Sequence, residues 1–200
     1  MSYYLLLRGP LGVGKSTVAS RLASVLGGVC VSVDAILEEE RLEVWDNDRV
    51  SLQSFLNVNT VVVERARACL ATGTPVVVEG NFYWREAIDD LVDRLPAPHW
   101  VFTLTAPEAV CLERDRQRPP TPPDRPPRAG ESLGAEAVAA VYRLVAAVPY
   151  GTPIDATGPV DSVVATIRSS LGAGRLAGPR GPLVPGSASP PTDGTLRRER

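Results

Sequence analysis

The densest chemistry in the sequence lies near its amino end, in Gly9-Pro10-Leu11-Gly12-Val13-Gly14-Lys15-Ser16-Thr17. Gly9 and Gly14 have the spacing of the G-x-x-x-x-G-K-[ST] pattern, and Lys15 and Ser16 complete it. Glycine lets a turn close tightly and lets backbone N–H groups approach an anion with no Cβ in the way. A helix beginning near Lys15 adds free N–H donors and the positive end of its dipole. Lys15 then offers a mobile charge to β- and γ-phosphates, and the Ser16 hydroxyl offers a ligand to Mg²⁺. Gly9, Leu11, Gly12, Val13, Gly14, Lys15, Ser16 and Thr17 are the expected nucleotide contacts, with Mg-ATP or Mg-GTP as the ligand.

Two acidic residues stand at the ends of apolar runs. Residues 29–33 read as a strand ending at Asp34, and 75–81 as a valine-rich strand delivering Glu79, Gly80 and Asn81. In an open parallel sheet, ligands bind outside the carboxyl ends of the strands, so both acids are expected beside the phosphate loop. Asp34 reads as a general base toward a substrate hydroxyl, or as the N-cap of a helix over 35–41. Glu79 reads as a Mg²⁺-holding or substrate-orienting group, or as a partner of Lys15 or an arginine. Asn81 can donate and accept next to the phosphates. Arg114 and Arg118 are four residues apart and are expected to share a helix face. Paired guanidinium groups suit the charge that develops on a transferring phosphoryl group; a basic helix end favoured by the dipole is the plainer reading.

These groups need elements to hold them. Residues 3–7 read as a buried strand before the phosphate loop, and 16–26 as the helix after it, with Val18, Ala19, Leu22, Ala23 and Leu26 on one stripe. A helix is expected over 52–71, ending before Gly73, and another over 85–95. Residues 99–104 read as a strand, followed by a helix capped by Thr105 or Ala106 with Pro107 in its first turn. A helix over 135–148, a strand over 152–156 and a helix over 160–171 complete the set. Residues 46–48 read as a loop, and Trp45 beside them as a core anchor or a substrate wall. Phe82, Tyr83 and Trp84 read either as such a wall or as packing, and Asn57 and Asn59 as helix-surface residues or substrate contacts. His99 lies at the end of its strand away from the acids and receives no catalytic role. The proline-rich stretch is expected to be a mobile lid over about 117–133. The domain is expected to span 1–171, followed by a disordered Gly/Pro/Ser/Arg-rich tail over 172–200.

The 200-residue chain is long enough for one well-buried domain, and its net charge of -2 argues against long nucleic acid as a partner. Its three cysteines, Cys30, Cys69 and Cys111, lack metal-ligand spacing and read as reduced core residues. No apolar run approaches transmembrane length, so a cytoplasmic protein is expected with no membrane association. Oligomeric state is not readable.

Alternating strands and helices argue a parallel α/β sheet. With the loop at Gly9 to Thr17, Asp34, Glu79-Gly80-Asn81, and Arg114 with Arg118, the chain resembles the P-loop small-molecule kinases. That group includes shikimate, gluconate and adenylylsulfate kinases, chloramphenicol phosphotransferase, zeta-type toxins and polynucleotide 5′-kinase. The resemblance spans residues 3–171. It implies a three-layer α/β/α P-loop NTPase fold with a five-stranded parallel sheet of order 2-3-1-4-5 and a lid. It implies a base role for Asp34 and phosphate contacts for Arg114 and Arg118. The expected activity is ATP-dependent, Mg²⁺-supported transfer of a phosphoryl group to a hydroxyl of a small molecule. Nucleotide hydrolysis without an acceptor and nucleotide binding without catalysis are the alternatives.

Overall fold

The computed structural model describes residues 2–46, 49–122 and 130–173. Its centre is β1 (Tyr4–Arg8), whose five residues are all buried. The sheet also contains β2 (Val29–Ser32), β5 (Val76–Gly80), β6 (His99–Thr105) and β7 (Thr152–Asp155), in the order β2-β5-β1-β6-β7. Every pairing is parallel. Leaving aside the small antiparallel hairpin β3 (Trp45–Asp46) and β4 (Arg49–Val50), this is the expected order 2-3-1-4-5.

Alternation along the strands divides the core into two layers. Tyr4, Leu6, Val76 and Val78 face a cluster built from α3 (Leu52–Ala71) and α4 (Arg85–Arg94). Leu5, Leu7, Val77, Phe102 and Leu104 face α1 (Lys15–Leu26) and α7 (Val160–Ala173). The helix α6 (Ala135–Ala146) contributes Val145 to the first cluster and Val138 to the second. Wide-stripe amphipathic helices on both faces are what an all-parallel sheet requires.

Several local boundaries differ from expectation. The strand before Asp34 stops at Ser32, and α2 (Val33–Glu39) begins at once. Ser32 is the N-cap: its backbone is extended, and its Oγ accepts from Ala35 N at 3.4 Å. Asp34 is therefore neither a strand residue nor a cap but lies in the first turn of α2, where the helix dipole favours a carboxylate. Of residues 46–48, read as a loop, Asp46 lies in β3 and pairs with Arg49 of β4, while 47–48 lie outside the described residues; Val50 accepts from Trp84 Nε1 at 3.0 Å and donates to Tyr83 Oη at 2.9 Å. Thr105 remains in β6 and its carbonyl accepts from Ala156 N at 2.8 Å, so it is not free to cap the next helix. Pro107 takes that position instead, ahead of α5 (Glu108–Arg116). The final helix runs two residues past the expected end of the domain, to Ala173; the tail from 174 onward lies outside the described residues. Residues 123–129 of the expected lid also lie outside them. No helix among the described residues is long and apolar enough to cross a membrane.

Candidate nucleotide and phosphoryl-transfer site

The phosphate loop joins the carboxyl end of β1 to α1. Gly14 is the cap residue of α1 with φ 100°, a left-handed conformation that L side chains rarely adopt. No side chain caps this helix, which leaves its first backbone donors for a ligand. Gly12 also has positive φ, at 74°, and a Cβ there would collide with the backbone carbonyl of Cys111 in α5. Both glycines are therefore set by geometry, and the second also sets how closely α5 approaches the loop.

Lys15 is buried, and its Nζ donates to Pro10 O at 3.1 Å and to Asn81 Oδ1 at 2.7 Å. Asn81 Nδ2 in turn lies 3.3 Å from both carboxylate oxygens of Asp34. Ser16 Oγ donates to Glu79 Oε1 at 3.2 Å. The site thus gathers Lys15, Ser16, Asp34, Glu79 and Asn81 at the carboxyl ends of β1, β2 and β5. Burial pushes the Asp34 carboxyl up to about 6; Lys15 opposes the rise, and Glu79 and Glu43 add to it. Burial lowers the Lys15 ammonium, against the pull of Asp34 and Glu79. Asp34 is partly accessible, so a substrate hydroxyl can reach a carboxylate that is ionised and yet a better base than one in water.

Glu79 is 1 % exposed, and its Oε2 has no hydrogen-bond partner among the described residues. A buried orphan acceptor asks for a donor or a cation. Beside the Ser16 hydroxyl it fits the sparse carboxylate-and-hydroxyl set that Mg²⁺ takes when water and phosphate oxygens complete its shell. The described residues contain no group of three or more His, Cys, Asp or Glu able to enclose a metal by themselves.

The two arginines have different surroundings. Arg114 lies on α5, and its Nη1 donates to Val13 O at 3.0 Å and Ala156 O at 2.9 Å, while Nη2 donates to Thr157 O at 3.2 Å. It ties the phosphate loop to the turn after β7. Arg118 lies beyond the end of α5, past the cap residue Gln117, so the expected shared helix face does not exist. The helix stops before Arg118 because a proline pair follows at 119–120. Arg118 Nη1 stands 3.8 Å from Asp115 Oδ1, and its charge acts on both Lys15 and Asp34.

Other expected contacts separate from the site. Asn59 is fully buried and donates to Ala87 O and Asp90 Oδ2, both at 2.8 Å, a tie between α3 and α4. Asn57 pairs with Gln53 on the exposed side of α3. Phe82 and Tyr83 are buried in the core, whereas Trp45 is 61 % exposed and anchors nothing there. His99 stacks on Tyr4 with ring centroids 5.1 Å apart, at the amino end of its strand.

Sequence reasoning missed two buried charges. Asp115 is 2 % exposed and receives donors from three residues of the 132–134 segment. Arg8, the last residue of β1, is fully buried and donates to Val148 O at 2.6 Å and Val145 O at 3.2 Å. It caps the last carbonyls of α6 and so fixes that helix beside the loop. A charge adjoining an apolar strand was the available signal for Arg8; Asp115, set among basic residues, had none.

A parallel sheet of this order with a lysine-bearing loop after its central strand defines a P-loop kinase fold. The chain belongs to the AAA domain family, whose sequence profile matches residues 5–140. Solved structures similar to it include a gluconokinase from Sinorhizobium meliloti 1021, at 22 % identity and TM-score 0.61, covering 85 % of this chain and 91 % of that one. A sugar kinase from Janibacter sp. HTCC2649 is similar at 18 % identity and TM-score 0.65, covering 88 % and 96 %. The Deinococcus radiodurans tunicamycin resistance protein is similar at 21 % identity and TM-score 0.61, covering 86 % and 96 %. No curated protein matches the chain by sequence.

Proposed function

We propose that the protein is an ATP-dependent phosphotransferase that moves the γ-phosphoryl group to a hydroxyl of a small molecule. The line Lys15–Asn81–Asp34 carries this reading, because one amide joins a phosphate-binding cation to a carboxylate of raised pKa. Sequence similarity to the AAA domain family and fold similarity to a gluconokinase and a sugar kinase support it.

In this reading the loop from Gly9 to Thr17 cradles the phosphates through its backbone N–H groups. Ser16 and Glu79 hold Mg²⁺, which when bound neutralises phosphate charge. Lys15 exchanges its bond to Asn81 for phosphate oxygens. Asp34 accepts the proton of the acceptor hydroxyl as the oxygen forms its bond to phosphorus and the β–γ bridging bond breaks to release ADP. Arg118, whose guanidinium has donors to spare, takes the charge on the transferring group. Arg114 keeps the loop in shape, with three of its five N–H groups engaged by backbone carbonyls.

The experiment is acceptor-dependent ADP formation across a panel of sugars, nucleosides and antibiotics, with Asp34→Asn as control. Turnover that depends on one acceptor and on Asp34 supports the reading; nucleotide consumption indifferent to both speaks against it.

A further inference from the structure

The carboxylate of Asp115 accepts from three donors and faces a guanidinium, and the mechanism above gives it no part. Its Oδ2 accepts from Ser132 Oγ at 2.7 Å and from Gly134 N at 3.2 Å. Its Oδ1 accepts from Leu133 N at 3.4 Å and stands 3.8 Å from Arg118 Nη1. The first three donors all belong to the 132–134 segment, which leads into α6 through its cap residue Gly134. Asp115 therefore fixes the approach to α6 from α5, where the positive end of the α6 dipole favours its charge. A carboxylate has about four acceptor sites. Three are taken by the 132–134 segment, and what remains faces Arg118.

Arg118 has no side-chain hydrogen bond among the described residues, and this long ion pair is its one close charged contact there. A separation of 3.8 Å is too long for a hydrogen bond, so the pair orients the guanidinium while none of its N–H groups is hydrogen-bonded within the described residues. Its side chain is about one-third exposed, and its charge acts on Lys15 and Asp34. A fixed acid behind a cation is how supporting residues hold reacting groups within the narrow geometry that transfer needs.

We propose that Asp115 is a positioning residue that aims Arg118 at the outermost phosphate of a bound nucleotide, anchored in turn by the 132–134 segment. The inference rests on the nucleotide reading given above and adds a residue that acts through Arg118 and not on substrate.

The test compares fluorescent mant-ATP and mant-ADP binding, with Mg²⁺, in the full chain and in Asp115→Asn, Arg118→Ala and the double variant. Arg118→Ala lowers the preference for the triphosphate about tenfold, the scale of one charge-assisted contact. Asp115→Asn lowers the same ratio by a similar factor, and the double variant falls no further. Unchanged preference in Asp115→Asn, with only a lower melting temperature, overturns the proposal, because a purely structural tie to the 132–134 segment does not distinguish two nucleotides. Multiplying effects in the double variant overturn it too. If Asp115→Asn does not fold, Asp115→Glu keeps the charge but displaces Arg118, and a wild-type ratio in it is equally contrary. Wild-type protein that binds neither nucleotide overturns the nucleotide reading and this inference together; normal binding with an intact ratio overturns this inference alone.

Discussion

Lys15 donates to Asn81 Oδ1 at 2.7 Å, so the cation expected to meet phosphate is held by a neutral amide. The other side of that amide faces Asp34, at 3.3 Å. A direct Lys15–Asp34 ion pair would occupy both groups; the intervening amide keeps each of them near its task at a smaller electrostatic cost to release.

Removing that amide tests the arrangement. Asn81→Ala leaves buried Lys15 with only Pro10 O as a partner, and is expected to lower stability by about 1–3 kcal/mol. Thermal unfolding measures the loss. Asn81→Asp instead places another carboxylate beside Asp34 and is expected to move the acid inflection of turnover to higher pH.

The pH dependence follows from Asp34, raised by burial to about 6 from an ordinary 3.8. Transfer needs the ionised form, so the rate is expected to rise through pH 6 and level off above it. The folded chain holds this proton more tightly than the unfolded chain. Asp34 therefore contributes stability that is present below about pH 4 and lost as pH rises through about 6. Asp34→Asn is expected to raise the melting temperature at pH 8 while abolishing transfer; an inactive variant with a lowered melting temperature would mean that Lys15 outweighs burial at this position.

Gly12→Ala adds a Cβ against the Cys111 carbonyl at a φ of 74°. The clash is with backbone, so either the loop or α5 must move. Stability is expected to fall by about 2 kcal/mol or more, and nucleotide binding to fall with it. Equilibrium denaturation and mant-ATP titration report the two effects.

Glu79→Gln replaces the carboxylate that carries the orphan Oε2 with a neutral amide, a much weaker ligand for a cation. The Mg²⁺ concentration that half-saturates binding of the triphosphate is expected to rise about tenfold, while binding without Mg²⁺ changes little. An identical Mg²⁺ dependence in the two proteins would remove Glu79 from the metal's surroundings.

The phosphate loop and the sheet were legible in the sequence for different reasons. The loop is a local pattern in which each residue type is required by backbone geometry, so Gly14 and Lys15 read without any tertiary information. The sheet read from apolar runs alternating with helical stripes, as in Val76–Val78 before α4. What escaped depends on contacts across the chain. Nothing near Asp115 says that residues 132–134 will return to it. Arg114 and Arg118 look equivalent by spacing, yet only the structure brings three backbone carbonyls to the first. Ser32 displaced Asp34 as cap because two good capping residues stand two positions apart, and the buried Val33 belongs to the helix. Asn59 reads as a surface residue until α4 is packed against it.

The most direct measurement of the central claim follows labelled γ-phosphate from Mg-ATP into a panel of hydroxyl compounds, with Asp34→Asn and Lys15→Ala run alongside. The account predicts label in one class of small molecule, lost in Asp34→Asn although nucleotide still binds, and lost in Lys15→Ala together with nucleotide binding. Label released only as inorganic phosphate, at the same rate in wild type and Asp34→Asn, would contradict it.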